Sequence, residues 1–222
     1  MYYLIIALLV ASISQAAILR FNGTPSETVT IDKIKIPIYH SAWTDVPELN
    51  ESLPVYMTGH GLYSKPLGFI SVKIYYAVSY FDHPNGFQEK TNPIPELSGS
   101  RSFAIHFTYL RDLSQVQIRE SFETMLLANN IDISDPEINQ SLNDLDFDIQ
   151  KGDTSVLVGS SRDRRLELLA LESKNGIRTN TAENLAVSFW RVWFGVPSDS
   201  GMKKLKSLLA GLPERRALVG RH

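Results

Sequence analysis

Apolar and polar residues alternate with a period of two along much of the first half of the chain. Successive side chains on a strand point to opposite faces, so this period predicts strands. In residues 28–38 (TVTIDKIKIPI), Val29 and Ile31 fall on one parity and Ile34, Ile36 and Ile38 on the other. That shift predicts a single strand with a one-residue bulge, ending near Pro37. Residues 43–54 read as loop, 55–59 as a short strand, 69–81 as a long one and 101–110 (RSFAIHFTYL) as another. The segment 82–100 is rich in Pro, Asn and Gly and reads as a surface loop. The spacing then turns helical. Ser114 and Gln117 form a capping-box pattern ahead of a stripe of Ile118, Phe122, Met125 and Leu126. Pro136 suits the first turn of a second helix carrying Ile138, Leu142 and Leu145. Residues 154–159 and 165–171 predict a hairpin across the charged turn SSRDR. Leu185, Phe189, Val192 and Trp193 mark a helix over 182–194, and Leu205, Leu208 and Leu209 a last one over 202–212.

Strands and helices are segregated along the chain instead of alternating. This order predicts an α+β domain, an open-faced β-sandwich in which a large antiparallel sheet is backed by a layer of helices. The long strand has two distinct faces. Val72, Ile74, Tyr76, Val78 and Tyr80 form an apolar one, expected to meet the helices. Ser71, Lys73, Tyr75, Ala77 and Ser79 form a mixed one, which reads either as a solvated surface or as the wall of a pocket.

The run GHGLYS, just before this strand, has the look of a phosphate loop. Such a loop needs a third glycine and a helix whose N-terminus holds the phosphate. Here a strand follows Pro66, so Gly59 and Gly61 are instead expected where a strand bends or lies close to another backbone.

Composition narrows the possibilities. The chain has 222 residues, 43% of them apolar, enough for one well-cored domain. A formal charge of −2 gives no global field favouring nucleic acid or an anionic membrane. There are no cysteines, which excludes disulfides, thiolate metal sites and a cysteine nucleophile. The N-terminus, MYYLIIALLVASISQAA, carries an apolar run over 4–13. That run is far short of the roughly 20 residues needed to span a bilayer. Ser14 and Ala16 supply the small-residue pattern of a cleavage site before Ala17, although the segment lacks Lys and Arg. The expected organisation is a signal peptide over 1–16, a domain over 17–212 and a frayed tail over 213–222. The protein is then periplasmic or secreted, with no membrane span after cleavage. Sequons stand at Asn22, Asn50 and Asn139.

None of the five histidines has a metal-pair spacing, and no GxSxG elbow occurs. His60 and His106 fall in expected strands and read as structural. The carboxylates of 135–149 read as a solvated face. Arg162, Arg164 and Arg165 sit on a turn beside Asp163 and Glu167, where local pairing is expected, and Trp190 and Trp193 are expected to be buried against the sheet. No catalytic residue, metal ligand or cofactor is assigned.

The run GHGLY, followed by the strand VKIYYAVSY with Tyr75 twelve positions after Tyr63, resembles the GAGVR and VKFTAIGVY segments of the chalcone isomerase family. RDLSQVQIRESF resembles the opening of the first helix in its bacterial chalcone isomerase-like branch, and FWRVWFGVPSDSGMKKLKSLLAG its closing helix pair. The resemblance extends over residues 33–212. It implies an open-faced sandwich, in agreement with the pattern above. In the enzymes of this family an arginine ends GAGVR and assists a phenolate nucleophile, and a threonine twelve residues on helps polarise the substrate ketone. Here those positions are Tyr63 and Tyr75. The family's tyrosine and asparagine at the next helix have no match over 113–121, and only Lys73 keeps its family identity. A phenol with pKa near 10 brings no charge at neutral pH, unlike a guanidinium. Isomerase activity is therefore not expected. The expected function is binding of a small apolar ligand, of fatty-acid or polyphenol type, in the cleft over the sheet, with Tyr63, Lys73 and Tyr75 as its polar contacts. The alternatives are a structural or partner-binding module whose cleft its own aromatics fill, and an enzyme of a different reaction.

Overall fold

A computed structural model describes residues 17–46, 51–161 and 166–213. The expected signal peptide, the tail beyond residue 213, Asn50 and the arginine turn lie outside the described residues. In chain order the strands are β1 (Leu19–Phe21), β2 (Glu27–Ile31), β3 (Ile34–Ile38), β4 (Ser41–Val46), β5 (Glu51–Leu67), β6 (Ile70–Phe81), β7 (Phe103–Tyr109), β8 (Thr154–Ser161), β9 (Leu166–Ser173) and β10 (Gly176–Glu183). The helices are α1 (Ile94–Leu97), α2 (Gln115–Ala128), α3 (Pro136–Asn143), α4 (Leu185–Phe194) and α5 (Ser200–Leu209). Eight strands form one antiparallel sheet in the order β1-β4-β5-β6-β7-β8-β9-β10, and β2 and β3 form a separate two-stranded sheet. The fold is the expected α+β sandwich.

One face of the sheet meets the helices. Ala77, Phe81, Phe103, Ile105, Phe107, Leu157 and Leu169 pack there against Leu126 of α2, Phe189, Trp190 and Trp193 of α4, and Leu205 and Leu209 of α5. The opposite face is not bare. Tyr76, Val78, Tyr80, Val156 and Val158 form a second apolar cluster with Ile36 and Ile38 of the β2–β3 hairpin and with Ile18.

Several details differ from expectation. The parity shift in 28–38 is a hairpin, not a bulge: Asp32 and Lys33 both adopt positive φ (50° and 72°) and reverse the chain. Two residues at positive φ suit the tight turn whose twist matches paired strands. The expected loop 43–54 is largely strand, with Ser41–Val46 paired to Glu51–Tyr56. Ala42, Thr44, Leu53 and Val55 turn inward in alternation, but a buried threonine and the neighbouring Trp43 hide that period in the sequence. Polar β10 was hidden because it is held by pairing with β9 along its whole length. The helix expected from 182 begins at Leu185, because 182–183 still belong to β10.

The two faces of the long strand are also reversed. Tyr76, Val78 and Tyr80 point away from the helices, and Tyr75 and Ala77 point towards them. Close approach of α5 to β5 explains the glycines. A Cβ on Gly59 would lie 1.9 Å from the Leu208 carbonyl oxygen, and one on Gly61 would lie 2.7 Å from Leu208 Cδ1. The helix rests directly on the strand, as expected of glycines at a close backbone contact.

Candidate functional site

A cleft of about 670 Å³ opens between the helix-facing side of the sheet and α2. This volume lies within the range of about 300–1,000 Å³ usual for small-molecule sites. Its floor is Tyr63 from β5, Ile74 and Tyr75 from β6, Phe107 and Tyr109 from β7, and Leu157 from β8. Its roof is Ile118, Phe122 and Met125, one stripe of α2. That helix is held in register by the expected capping box, in which the Gln117 N–H donates to Ser114 Oγ and the Ser114 N–H to Gln117 Oε1. Phe147, Leu145 and Trp193 close the interior. The cleft is also lined by Lys65, Arg111, Gln117 and Glu120. Lys65 and Arg111 are solvent-exposed, and neither has an ion pair among the described residues.

Tyr63 and Tyr75 form a cross-strand pair with ring centroids 5.0 Å apart. The Tyr63 hydroxyl donates to Asp199 Oδ2 at 2.8 Å. Asp199 is also the N-cap of α5, its Oδ1 accepting the Met202 N–H at 2.8 Å. The Tyr75 hydroxyl accepts from Trp193 Nε1 at 3.1 Å, which leaves its own proton available to an acceptor in the cleft. Tyr109 and Ser155 share a hydrogen bond of 2.9 Å.

Burial, then the Asp199 carboxylate, pushes the Tyr63 phenol well above its ordinary value. Burial alone dominates at Tyr75 and raises it strongly. Tyr109 is pushed up to about 12, again chiefly by burial. All three phenols are neutral at physiological pH, so the floor offers hydrogen bonds but no charge.

The three residues expected to share one wall are split. Tyr63 and Tyr75 line the cleft, and Lys73 does not. The cause is a bulge in β6: Tyr63 pairs with Tyr75 and Ser64 with Lys73, which leaves Ile74 as the extra residue. One inserted residue reverses the alternation beyond it. Ile74 therefore joins Tyr75 against the cleft. Lys73 emerges on the opposite face, where its Nζ bonds Asp32 Oδ1 of the β2–β3 turn at 2.8 Å.

The residues not anticipated are Lys65, Tyr109, Arg111 and Asp199. Tyr109 was detectable in principle, since it shares parity with Phe107 and pairs with Tyr75 across the strands. Asp199 carried the signal of an N-cap, but nothing local told where its second oxygen would reach. Trp193 is buried as expected and also borders the cleft. His60 is structural, bonded to the Tyr76 hydroxyl and lying 3.0 Å from Glu27 Oε1. No protein-family model matches the chain, and no curated protein matches it either.

Proposed function

We propose that this chain is an exported, chalcone isomerase-like protein that binds a small apolar ligand of fatty-acid or polyphenol type without isomerising it. The observation that carries this reading is the open cleft of about 670 Å³ with an aromatic and aliphatic lining. Tyr63 and Tyr75 line the cleft and leave its volume open, which argues against a module closed by its own side chains. The Tyr75 proton is the polar contact within the cleft. Lys65 and Arg111 take the anchoring part that the sequence pattern would give to Lys73, and they suit a carboxylate or an acidic phenol.

The electrostatics oppose isomerase chemistry. An oxyanion nucleophile needs a fixed cation at its side. The group beside Tyr63 is instead the carboxylate of Asp199, which disfavours a second negative charge. Phenols raised this far are also poor general acids at neutral pH, which weakens the reading as an enzyme of another reaction.

Export is supported by the N-terminal pattern. Ile18 is fully buried and its N–H donates to Glu172 Oε2 at 2.8 Å. Cleavage before Ala17 would thus leave every described strand intact.

Native mass spectrometry of the purified protein, with added long-chain fatty acids and flavonoids, tests the reading. A co-purified small molecule or saturable uptake is expected. Recovery of the bare chain with no uptake of either class would overturn it, and so would cyclisation of a chalcone well above the spontaneous rate.

A further inference from the structure

The longest hairpin of the sheet ends in an apolar tip. Strands β5 and β6 turn at Gly68, whose φ is +62°, and Phe69. Phe69 is fully exposed, Ile70 is 64% exposed and Leu67 49%. Three large apolar side chains within four positions are thus turned to water, which is unusual for a surface that meets only solvent. Just below the tip, Lys65, Pro66 and Leu67 line the cleft. The hairpin over residues 63–75 carries two cations, Lys65 and Lys73, and no carboxylate.

We propose that this tip is a membrane-docking finger: Leu67, Phe69 and Ile70 enter the interfacial zone of an anionic lipid bilayer while Lys65 lies among the headgroups. The docking deepens the ligand-binding reading and takes its purpose from it. With the tip in the lipid, the edge of the cleft at Lys65 and Leu67 faces the bilayer, and an apolar ligand passes between lipid and cleft with little exposure to water. An anionic surface fits the finger because, among the described residues, Lys65 has no ion pair and Lys73 is paired with Asp32 alone. Apolar insertion joined to a basic flank is the combination that holds peripheral proteins at such surfaces. The molecule as a whole has slightly negative formal charge, so attachment is local and oriented, driven by the finger alone.

Co-sedimentation with vesicles tests the proposal. One set contains phosphatidylcholine with an equal amount of phosphatidylglycerol, the other phosphatidylcholine alone. The wild-type protein is expected to sediment with the anionic vesicles, less with the neutral ones, and less in high salt. The double variant Phe69→Ser, Ile70→Ser should stay in the supernatant. These side chains do not line the cleft, so its uptake of a fatty acid from solution should equal that of the wild type. A Phe69→Trp variant should show a blue shift in emission when anionic vesicles are added. Absence of wild-type sedimentation would overturn the proposal, as would sedimentation undiminished in the double variant. Wild-type self-association abolished by the double variant, without vesicle binding, would also overturn it and identify the tip as a contact between copies of the chain. Vesicle binding without ligand uptake would refute the cleft reading and leave the finger standing. Uptake without vesicle binding would do the reverse.

Discussion

Tyr63 and Asp199 are 136 positions apart and joined by a hydrogen bond of 2.8 Å, and the same carboxylate caps helix α5 through Met202. One side chain thus fixes both the start of the helix and the phenol in the cleft floor. Asp199→Ala removes both contacts. Loss of an N-cap costs about 1 kcal/mol, and loss of a hydrogen bond to a charged group about 1.5–3 kcal/mol more. A decrease of about 3 kcal/mol in unfolding free energy is expected from urea titration, by the same two contributions. Asp199→Asn keeps an acceptor for Met202 but removes the charge. In that variant Tyr63 should titrate at lower pH than in the wild type yet above the ordinary range, because burial, not Asp199, is the larger cause of its shift. Tyrosine ring carbon signals followed by NMR across alkaline pH would show it. No movement of the Tyr63 signal would mean that the carboxylate is not beside it in solution.

The bulge at Ile74 makes Lys73 and its neighbours separable by mutation. Lys73→Ala removes an exposed pair with Asp32, and pairs of this kind contribute little. No measurable change in thermal midpoint or in ligand uptake is expected. Lys65→Gln combined with Arg111→Gln should lower the affinity for a long-chain carboxylic acid by roughly tenfold, the equivalent of about 1.4 kcal/mol. The affinity for the corresponding methyl ester should not change. Isothermal titration with the acid and the ester distinguishes the two anchors. An equal loss for both ligands would show that Lys65 and Arg111 do not meet a charge.

The same bulge marks the limit of what the chain reveals by inspection. Elements with strong periodicity were legible: the capping box at Ser114, the proline start of α3, the stripe of α4 and the segregation of strands from helices that gives the fold class. The glycine close contact was legible in kind, although not its partner, Leu208. Polar strands near the sheet edges were not: in β4 one of the inward residues is a threonine, Thr44, and β10 is held by backbone pairing with β9. Facing was the costliest gap. Side chains over 75–81 alternate as written, but the inserted Ile74 breaks the alternation before Tyr75, and which parity meets the helices is set by tertiary packing. Tyr63 and Tyr75 were placed by the resemblance and do line the cleft, whereas Lys73 was put on the Tyr75 face by unbroken alternation and was misplaced.

His106 gives the fold a pH dependence of definite sign. It is buried in β7 with its ring edge-on to Phe21, centroids 5.3 Å apart, and burial lowers its pKa to about 4 from 6.5. Between those values the unfolded chain binds a proton that the native state refuses. Stability therefore falls as pH drops from about 6.5 towards 4 and levels off below. At the usual conversion for each pKa unit the full change is on the order of 3 kcal/mol. Glu167 and Glu172 act in the opposite sense, since burial raises both and their protonation favours the native state as pH falls. The His106 contribution is isolated by comparing the wild type with His106→Phe in denaturant titrations at several pH values. The difference between the two should shrink or reverse in favour of the variant on acidification. A difference independent of pH would mean that His106 titrates normally.

The contact between α5 and β5 predicts a graded effect at two glycines, Gly59 and Gly61, with Gly99 outside the contact as a control. An added Cβ at Gly59 would meet the backbone carbonyl oxygen of Leu208 at 1.9 Å, which cannot yield without moving the helix. At Gly61 the nearest atom, 2.7 Å away, is the tip of the Leu208 side chain, which can turn aside. At Gly99 the nearest atom is an ordinary 3.9 Å distant. Overpacking that displaces backbone costs about 1–3 kcal/mol or more. Gly59→Ala should therefore be the most damaging of the three, Gly61→Ala intermediate and Gly99→Ala close to neutral in urea unfolding. The series also bears on the cleft. Lifting α5 from β5 draws Asp199 away from Tyr63, so Gly59→Ala should weaken ligand uptake at temperatures where the protein is still folded, and Gly99→Ala should not. A Gly59→Ala protein as stable as the wild type, with full uptake, would show that the helix does not rest on the strand and that the floor of the cleft is not anchored from α5.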